Sequence, residues 1–208
     1  MKNLVLNLPD QVRLGAIAKG KEGVEWLGRL DSLVMSLEHD WDLSVGQILA
    51  GGTEAFVAEV IHADGEQSVL KISVPSNEPS NRELNTLLNA NGRGYVKLKR
   101  HDTSRGAILL ERLGRQLNQM GLSIDAQIKI ICETLKTAWR PLPQGFGLIS
   151  GAEKASRLAR IIEVAWRELG KPCSEKTIET ALFFAQIRNQ KFDPRSAVLG
   201  HGDEPRPN

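Results

Sequence analysis

The sequence predicts an α+β fold, with a five-stranded antiparallel sheet and one helix in the N-terminal half and a helical region after it. Three observations carry this. Short β-rich runs separated by glycine turns crowd residues 44–74, two further apolar runs follow one short helix, and beyond about residue 118 apolar residues recur at helical spacing. Strands gathered ahead of helices define the α+β class.

The elements follow in order. Residues 1–40 read as a helical lead-in, because Leu27, Leu30, Leu33, Val34 and Leu37 repeat at helical spacing. From Trp41 the texture becomes β, with runs at roughly 44–49, 54–62 and 68–74 punctuated by Gly51-Gly52 and Asp64-Gly65. Asp-Gly between apolar alternations signals a tight hairpin, so these runs form an antiparallel meander. A helix over about 81–90 precedes two more strands, in "YVKLKRHD" and "GAILLERL".

Helices are expected at 123–139, 151–169 and 174–190. Their apolar faces are Ile124, Ile128, Ile131, Leu135 and Ala138 in the first, Leu158, Ile161, Ile162, Ala165 and Leu169 in the second, and Ile178, Ala181, Leu182 and Ala185 in the third. Ser150 and Glu153 are spaced as a capping box at the start of the second. "SAVLGHGD" reads as a short buried strand entering a loop. The expected organisation is a lead-in over 1–40, a sheet lobe over 41–117 and a helical lobe over 118–208.

Composition narrows the function. The chain has 208 residues, 41% hydrophobic and 25% charged, with a net charge of +2, and its charges are interspersed. Nothing in that balance argues for a nucleic-acid or membrane partner. Cys132 and Cys173 have no histidine nearby at metal-ligand spacing and read as free thiols of a reducing compartment. The N-terminal "MKNLVLNLPD" is too short for a signal peptide, and no apolar run approaches the ~18 residues of a membrane span. The expected location is the cytoplasm.

Four features carry chemistry, and their order along the chain is the argument. Gly51, Gly52 and Thr53 sit between two strands, where backbone N–H groups without bulky neighbours can approach phosphate oxygens. A plain hairpin turn gives the same pattern. Lys71 alternates with the core-facing Leu70 and Ile72, sharing a face with Val69 and Ser73. From there it could hold nucleotide phosphates, or simply be solvated.

Glu83, in the next helix, could pair with Lys71. It is also the last member of a capping-box pattern beginning at Ser80, and both readings stay open. Finally, His201-Gly202-Asp203 is followed by Asn208, the spacing that sets a general base and a metal ligand around a transferring phosphate. A surface turn is the alternative for that segment. No G-x-x-x-x-G-K-[ST] pattern is present, which excludes the P-loop NTPases.

The stretches "ILAGGTEAFVAEV", "SVLKIS", "GRGYVKLKRHDTSRGAILLERLG" and "VLGHGDEPRPN" resemble the aminoglycoside/hydroxyurea antibiotic resistance kinases, the family that includes the streptomycin 6-phosphotransferases. The resemblance implies a protein-kinase-like two-lobe fold and transfer of phosphate from ATP, with Mg²⁺, to a hydroxyl of an aminoglycoside-type drug. It implies that the Glu111, Arg112 and Leu113 backbone meets adenine and that Lys71, paired with Glu83, meets phosphates. It further implies that Asp203 orients or deprotonates the acceptor hydroxyl, Asn208 ligates magnesium and His201 braces the loop.

The family continues past this loop to a second metal-binding aspartate that has no position here. The chain is therefore expected to be a truncated kinase, or else one completed by a second chain. The alternative function is an inactive nucleotide-binding remnant. A helical interaction module fits the glycine–lysine–aspartate order poorly.

Overall fold

The computed structural model describes residues 4–50, 53–75, 82–141 and 148–200. The chain falls into two compact units, residues 1–138 and 139–208. The first begins with a short 3₁₀ turn and two helices, α1 (Asp10–Ala18) and α2 (Lys21–Trp41). Trp26, Leu30, Val34, Leu37 and Trp41 recur every three to four residues on α2, so they form one stripe, and all five are buried. Asp42 ends the helix in the left-handed conformation, donating its N–H to the Glu38 carbonyl.

The strands are β1 (Leu43–Ile48), β2 (Ala55–His62), β3 (Gln67–Ser73), β4 (Leu98–Asp102) and β5 (Ala107–Glu111), with α3 (Arg82–Ala90) between β3 and β4. They form one antiparallel sheet in the order β1-β2-β3-β5-β4, the α+β architecture expected from the sequence. The Asp64-Gly65 hairpin forms as anticipated. The Gly65 N–H donates to the His62 carbonyl, the His62 N–H donates to the Glu66 carbonyl, and the Asp64 carboxylate accepts from the Glu66 N–H. Gly65 sits at φ +84°, where a side chain would be strained.

Alternation gives the sheet two apolar faces. Phe56, Ala58, Val60, Leu70, Ile72, Ala107 and Leu109 point into a core shared with α1 and α2, so the N-terminal helices cover that side of β2, β3 and β5. The other face carries a smaller cluster, Ile108 with Leu84 and Leu87 of α3, flanked by Tyr95, Val96, Leu98 and Leu110. Burying each large aliphatic side chain contributes about 1.5–3 kcal/mol, so the larger core dominates the stability of this unit.

Helix α4 (Ile124–Ala138) closes the first unit. Gly94, at φ +69°, lets the loop after α3 meet the end of α4, since a Cβ there would stand 2.7 Å from Thr134 and Ala138 atoms. Ala138 is buried, whereas Ile124, Ile128 and Ile131 of the expected apolar stripe are exposed.

In the second unit, α5 (Gly151–Glu168) and α6 (Glu175–Gln190) pack together as an antiparallel pair. Asn189 near the end of α6 donates to Ser156 Oγ and the Ala152 carbonyl near the start of α5. Ser150 and Glu153 make the capping box that their spacing predicts, and Ile178, Ala181, Leu182 and Ala185 are half-buried. Leu158, Ile161 and Leu169, from the α5 stripe, are exposed. The strand expected in "SAVLGHGD" reduces, over its described part, to one bridge between Val198 and Pro141, with Leu199 buried and its N–H donated to the Arg140 carbonyl.

Candidate functional site

Lys71 lies near the middle of β3, opposite Val57 of β2 and Ile108 of β5. Its strand neighbours Leu70 and Ile72 fill the helix-covered core, which forces the lysine to the opposite face. There its Nζ meets both carboxylate oxygens of Glu83, at 2.6 and 2.7 Å. Two short charge-assisted contacts to one ammonium fix its direction far better than solvation does. Both side chains stay partly exposed, 27% for Lys71 and 45% for Glu83, so the pair is open to a ligand.

Glu83 stands in the first turn of α3, and Leu84 and Leu87 anchor that helix against Ile108. Of the two readings of Glu83, the ion pair with Lys71 is formed. Ser80, the other end of the capping pattern, is outside the described residues. So are Gly51, Gly52, His201, Asp203 and Asn208.

Thr53 is described. It lies just ahead of β2 and against α1, where a Cβ on Gly15 would stand 3.0 Å from the Thr53 carbonyl oxygen. Among the described residues no group of three or more His, Cys, Asp or Glu side chains is placed to hold a metal ion. No described helix is long and apolar enough to cross a membrane. Cys132 and Cys173 are free and exposed.

The register adds residues that motif reasoning missed. Val57, Val69 and Leu110 are half-buried apolar side chains that share the sheet face of Lys71, through the pairs Lys71–Val57 and Val69–Leu110. A flat planar ligand would find apolar contacts here next to the ammonium. The signal is present in "AFVAEV" and "SVLKIS", where apolar residues occupy both faces of each strand.

At the far end of this face, Glu111 closes β5. Its N–H donates to the Lys97 carbonyl at 3.0 Å, and its Oε1 accepts the Lys97 N–H at 2.6 Å. Arg112 follows, its Nη2 at 2.6 Å from Glu59 Oε1 and its Nη1 donating to the Leu113 carbonyl at 3.2 Å. Leu113 is exposed.

The turn between β4 and β5 braces the other end of β3, since the Ser73 N–H donates to the Gly106 carbonyl. Arg105 in that turn bonds Asp102 and Asp40, each at 2.7 Å, tying α2 to the sheet. The Ser104 hydroxyl and the Arg105 guanidinium hold the Asp102 carboxyl down at a pKa of about 2. Burial works against the Arg105 charge, yet its bonds to Asp102 and Asp40 leave its pKa raised above the usual guanidinium value. Between this turn and Glu83 lies a cavity of about 30 Å³, lined in part by Ser73, Asp102 and Thr103. It has room for a water or two.

A strand lysine salt-bridged to the glutamate of the next helix, on an N-terminal five-stranded antiparallel sheet, places the chain among kinase-like α+β proteins. Comparison of sequences makes this specific. The family model described as aminoglycoside/hydroxyurea antibiotic resistance kinase matches residues 40–177, and the chain belongs to that family.

Three relatives illustrate the match. The streptomycin 6-kinase of Streptomyces glaucescens is 38% identical over 98 residues, 47% of this chain and 32% of that protein. The hydroxyurea phosphotransferase of Kitasatospora aureofaciens is 31% identical over 185 residues, 82% of this chain and 52% of that protein. The streptomycin 6-kinase of Streptomyces griseus is 29% identical over 138 residues, 64% of this chain and 45% of that protein. The matched part thus spans from about a third to about half of each relative's length.

Proposed function

We propose that this chain takes part in transferring the γ-phosphate of ATP to a hydroxyl of an aminoglycoside-type antibiotic, with streptomycin as the first acceptor to test. The observation that supports it most is the two-oxygen contact of Glu83 with Lys71 on the open sheet face. An ammonium held in that way is a fixed positive charge at which phosphate oxygens can be gathered, and phosphoryl transfer depends chiefly on such positioning and charge neutralisation.

ATP fits the residues described. Val57, Val69 and Leu110 offer an apolar surface for adenine, and the segment from Glu111 to Leu113 follows directly at the end of β5, where backbone groups not bonded to Lys97 or Arg112 would meet its polar edge. Lys71 would hold the α- and β-phosphates, and Gly51, Gly52 and Thr53 would turn backbone N–H groups toward phosphate oxygens. Asp203 would orient the acceptor hydroxyl and take its proton as the oxygen attacks, with His201 bracing the loop. Asn208 carries a hard oxygen donor that suits Mg²⁺, which when bound would neutralise charge on the phosphates.

A second acceptor is favoured by one observation. The relative matched over 82% of this chain is a hydroxyurea phosphotransferase, so the hydroxyl of hydroxyurea is the other candidate. The test is incubation of the chain, joined to the segment that follows the catalytic loop in a related kinase, with ATP, Mg²⁺ and either compound, followed by mass spectrometry of the drug. Phosphorylated streptomycin is the expected product. Phosphorylated hydroxyurea alone would correct the acceptor. ATP binding with transfer to neither would overturn the transferase reading and leave a nucleotide-binding chain.

A further inference from the structure

We infer that Glu111 and Arg112 are positioning residues, whose side chains clamp the segment from Glu111 to Leu113 from both sides and so preset it for adenine. The inference rests on the reading of that segment as the adenine contact.

The need for a clamp follows from the topology. Strand β5 ends at Glu111, and beyond a strand end the ladder no longer fixes the backbone. On the β4 side the ladder is already irregular, with a register shift between Leu98 and Arg100. Just ahead of Leu98, where β4 begins, the Glu111 carboxylate accepts the Lys97 N–H, while the Glu111 N–H donates to the Lys97 carbonyl. One residue therefore closes both bonds to Lys97, one through its backbone and one through its side chain.

Arg112 works on the opposite side. Its ion-pair partner Glu59 lies on β2, which is not a neighbour of β5, because β3 stands between them. Glu59 pairs with Val69 of β3, and Val69 pairs with Leu110 of β5. The guanidinium crosses β3 to reach Glu59 and, with its other terminal nitrogen, bonds the Leu113 carbonyl. A planar fork makes both bonds at once, which a lysine ammonium on a flexible stem cannot reproduce.

β2 is also the strand that follows Gly51 and Gly52 in the sequence, so the Arg112 contact ties the segment read as the adenine contact to that strand.

The test uses the full chain and two probes, adenosine and inorganic tripolyphosphate, with affinities followed by ligand-observed NMR. Arg112→Ala, Arg112→Lys and Glu59→Gln are expected to weaken adenosine binding by roughly threefold to tenfold, with tripolyphosphate binding unchanged. The double variant Arg112→Ala/Glu59→Gln should be no weaker than Arg112→Ala alone, because both act through one contact. Hydrogen exchange of the Glu111–Leu113 amides in the nucleotide-free chain should speed up in the same variants. Unchanged adenosine affinity, or equal loss for both probes, would overturn the clamp and leave the nucleotide reading standing. Failure of the unsubstituted chain to bind adenosine would overturn the adenine reading, and the clamp with it.

Discussion

Asp102→Asn should make the chain less stable at neutral pH and remove part of its sensitivity to acid. The carboxyl of Asp102 titrates near 2 in the folded chain, against 3.8 for an ordinary aspartate, because Ser104 and Arg105 bond its charged form. A depressed carboxylate stabilises the fold above its unfolded pKa, and that contribution is lost as the pH falls through the folded value. The window therefore runs from about pH 4 down to about pH 2.

The full difference corresponds to at most about 2.4 kcal/mol. Asp102 is 22% exposed and bonded at the surface, where water screens the charge, so about 1 kcal/mol is the expected size. Asparagine preserves the shape and the acceptor oxygen but not the charge. Thermal melts of both proteins between pH 2 and pH 7 measure the effect, with a deficit of about 2–4 °C in the variant at pH 7 that closes toward pH 2. Asp193, also depressed by its neighbour Arg195, titrates in both proteins and cancels in the difference. Melting curves that stay parallel across the whole range would refute the reasoning.

Other outcomes follow from the same structure. Glu83→Gln should weaken ATP binding several-fold while leaving the melting temperature within a degree or two, since the pair is partly exposed and the ion pair, unlike a helix cap, needs the charge; equal ATP affinity in a binding titration would return Glu83 to a capping role. Phe56→Ala, which empties a fully buried site between the sheet and the N-terminal helices, should cost about 3–5 kcal/mol in urea denaturation. Gly94→Ala should cost about 1–3 kcal/mol by the same measurement, from its positive φ and from a Cβ forced to within 2.7 Å of Ala138 and Thr134.

Much of the sheet was legible because strand signals are local. The alternation through "SVLKIS" sends Lys71 and Leu70 to opposite faces whatever else the chain does, and Asp64-Gly65 defines its own turn. The helices at 10–41 were legible as helices, but their task of covering one sheet face was not, because the partners of Leu30 and Val34 are strands far along the chain. Glu83 stayed ambiguous since one glutamate near a helix start satisfies both a cap and a salt bridge, and only the position of β3 separates them.

The stripes of α4 and α5 gave the correct period but could not say which residues would be covered. Ile124 and Leu158 are exposed despite lying on the apolar side. The pairing of Glu59 with Arg112 left no signal at all. They meet across an intervening strand, 53 residues apart in sequence.

The most direct test of the account follows phosphorus itself. With ATP, Mg²⁺ and streptomycin or hydroxyurea present, phosphorus NMR should show the γ-phosphate signal of ATP decay as a phosphorylated-drug signal grows, and Lys71→Ala should slow this by roughly 10²-fold or more while melting like the unsubstituted chain. Transfer at an undiminished rate in Lys71→Ala, or no transfer to either drug once the segment that follows the catalytic loop in a related kinase is joined to the unsubstituted chain, would contradict it.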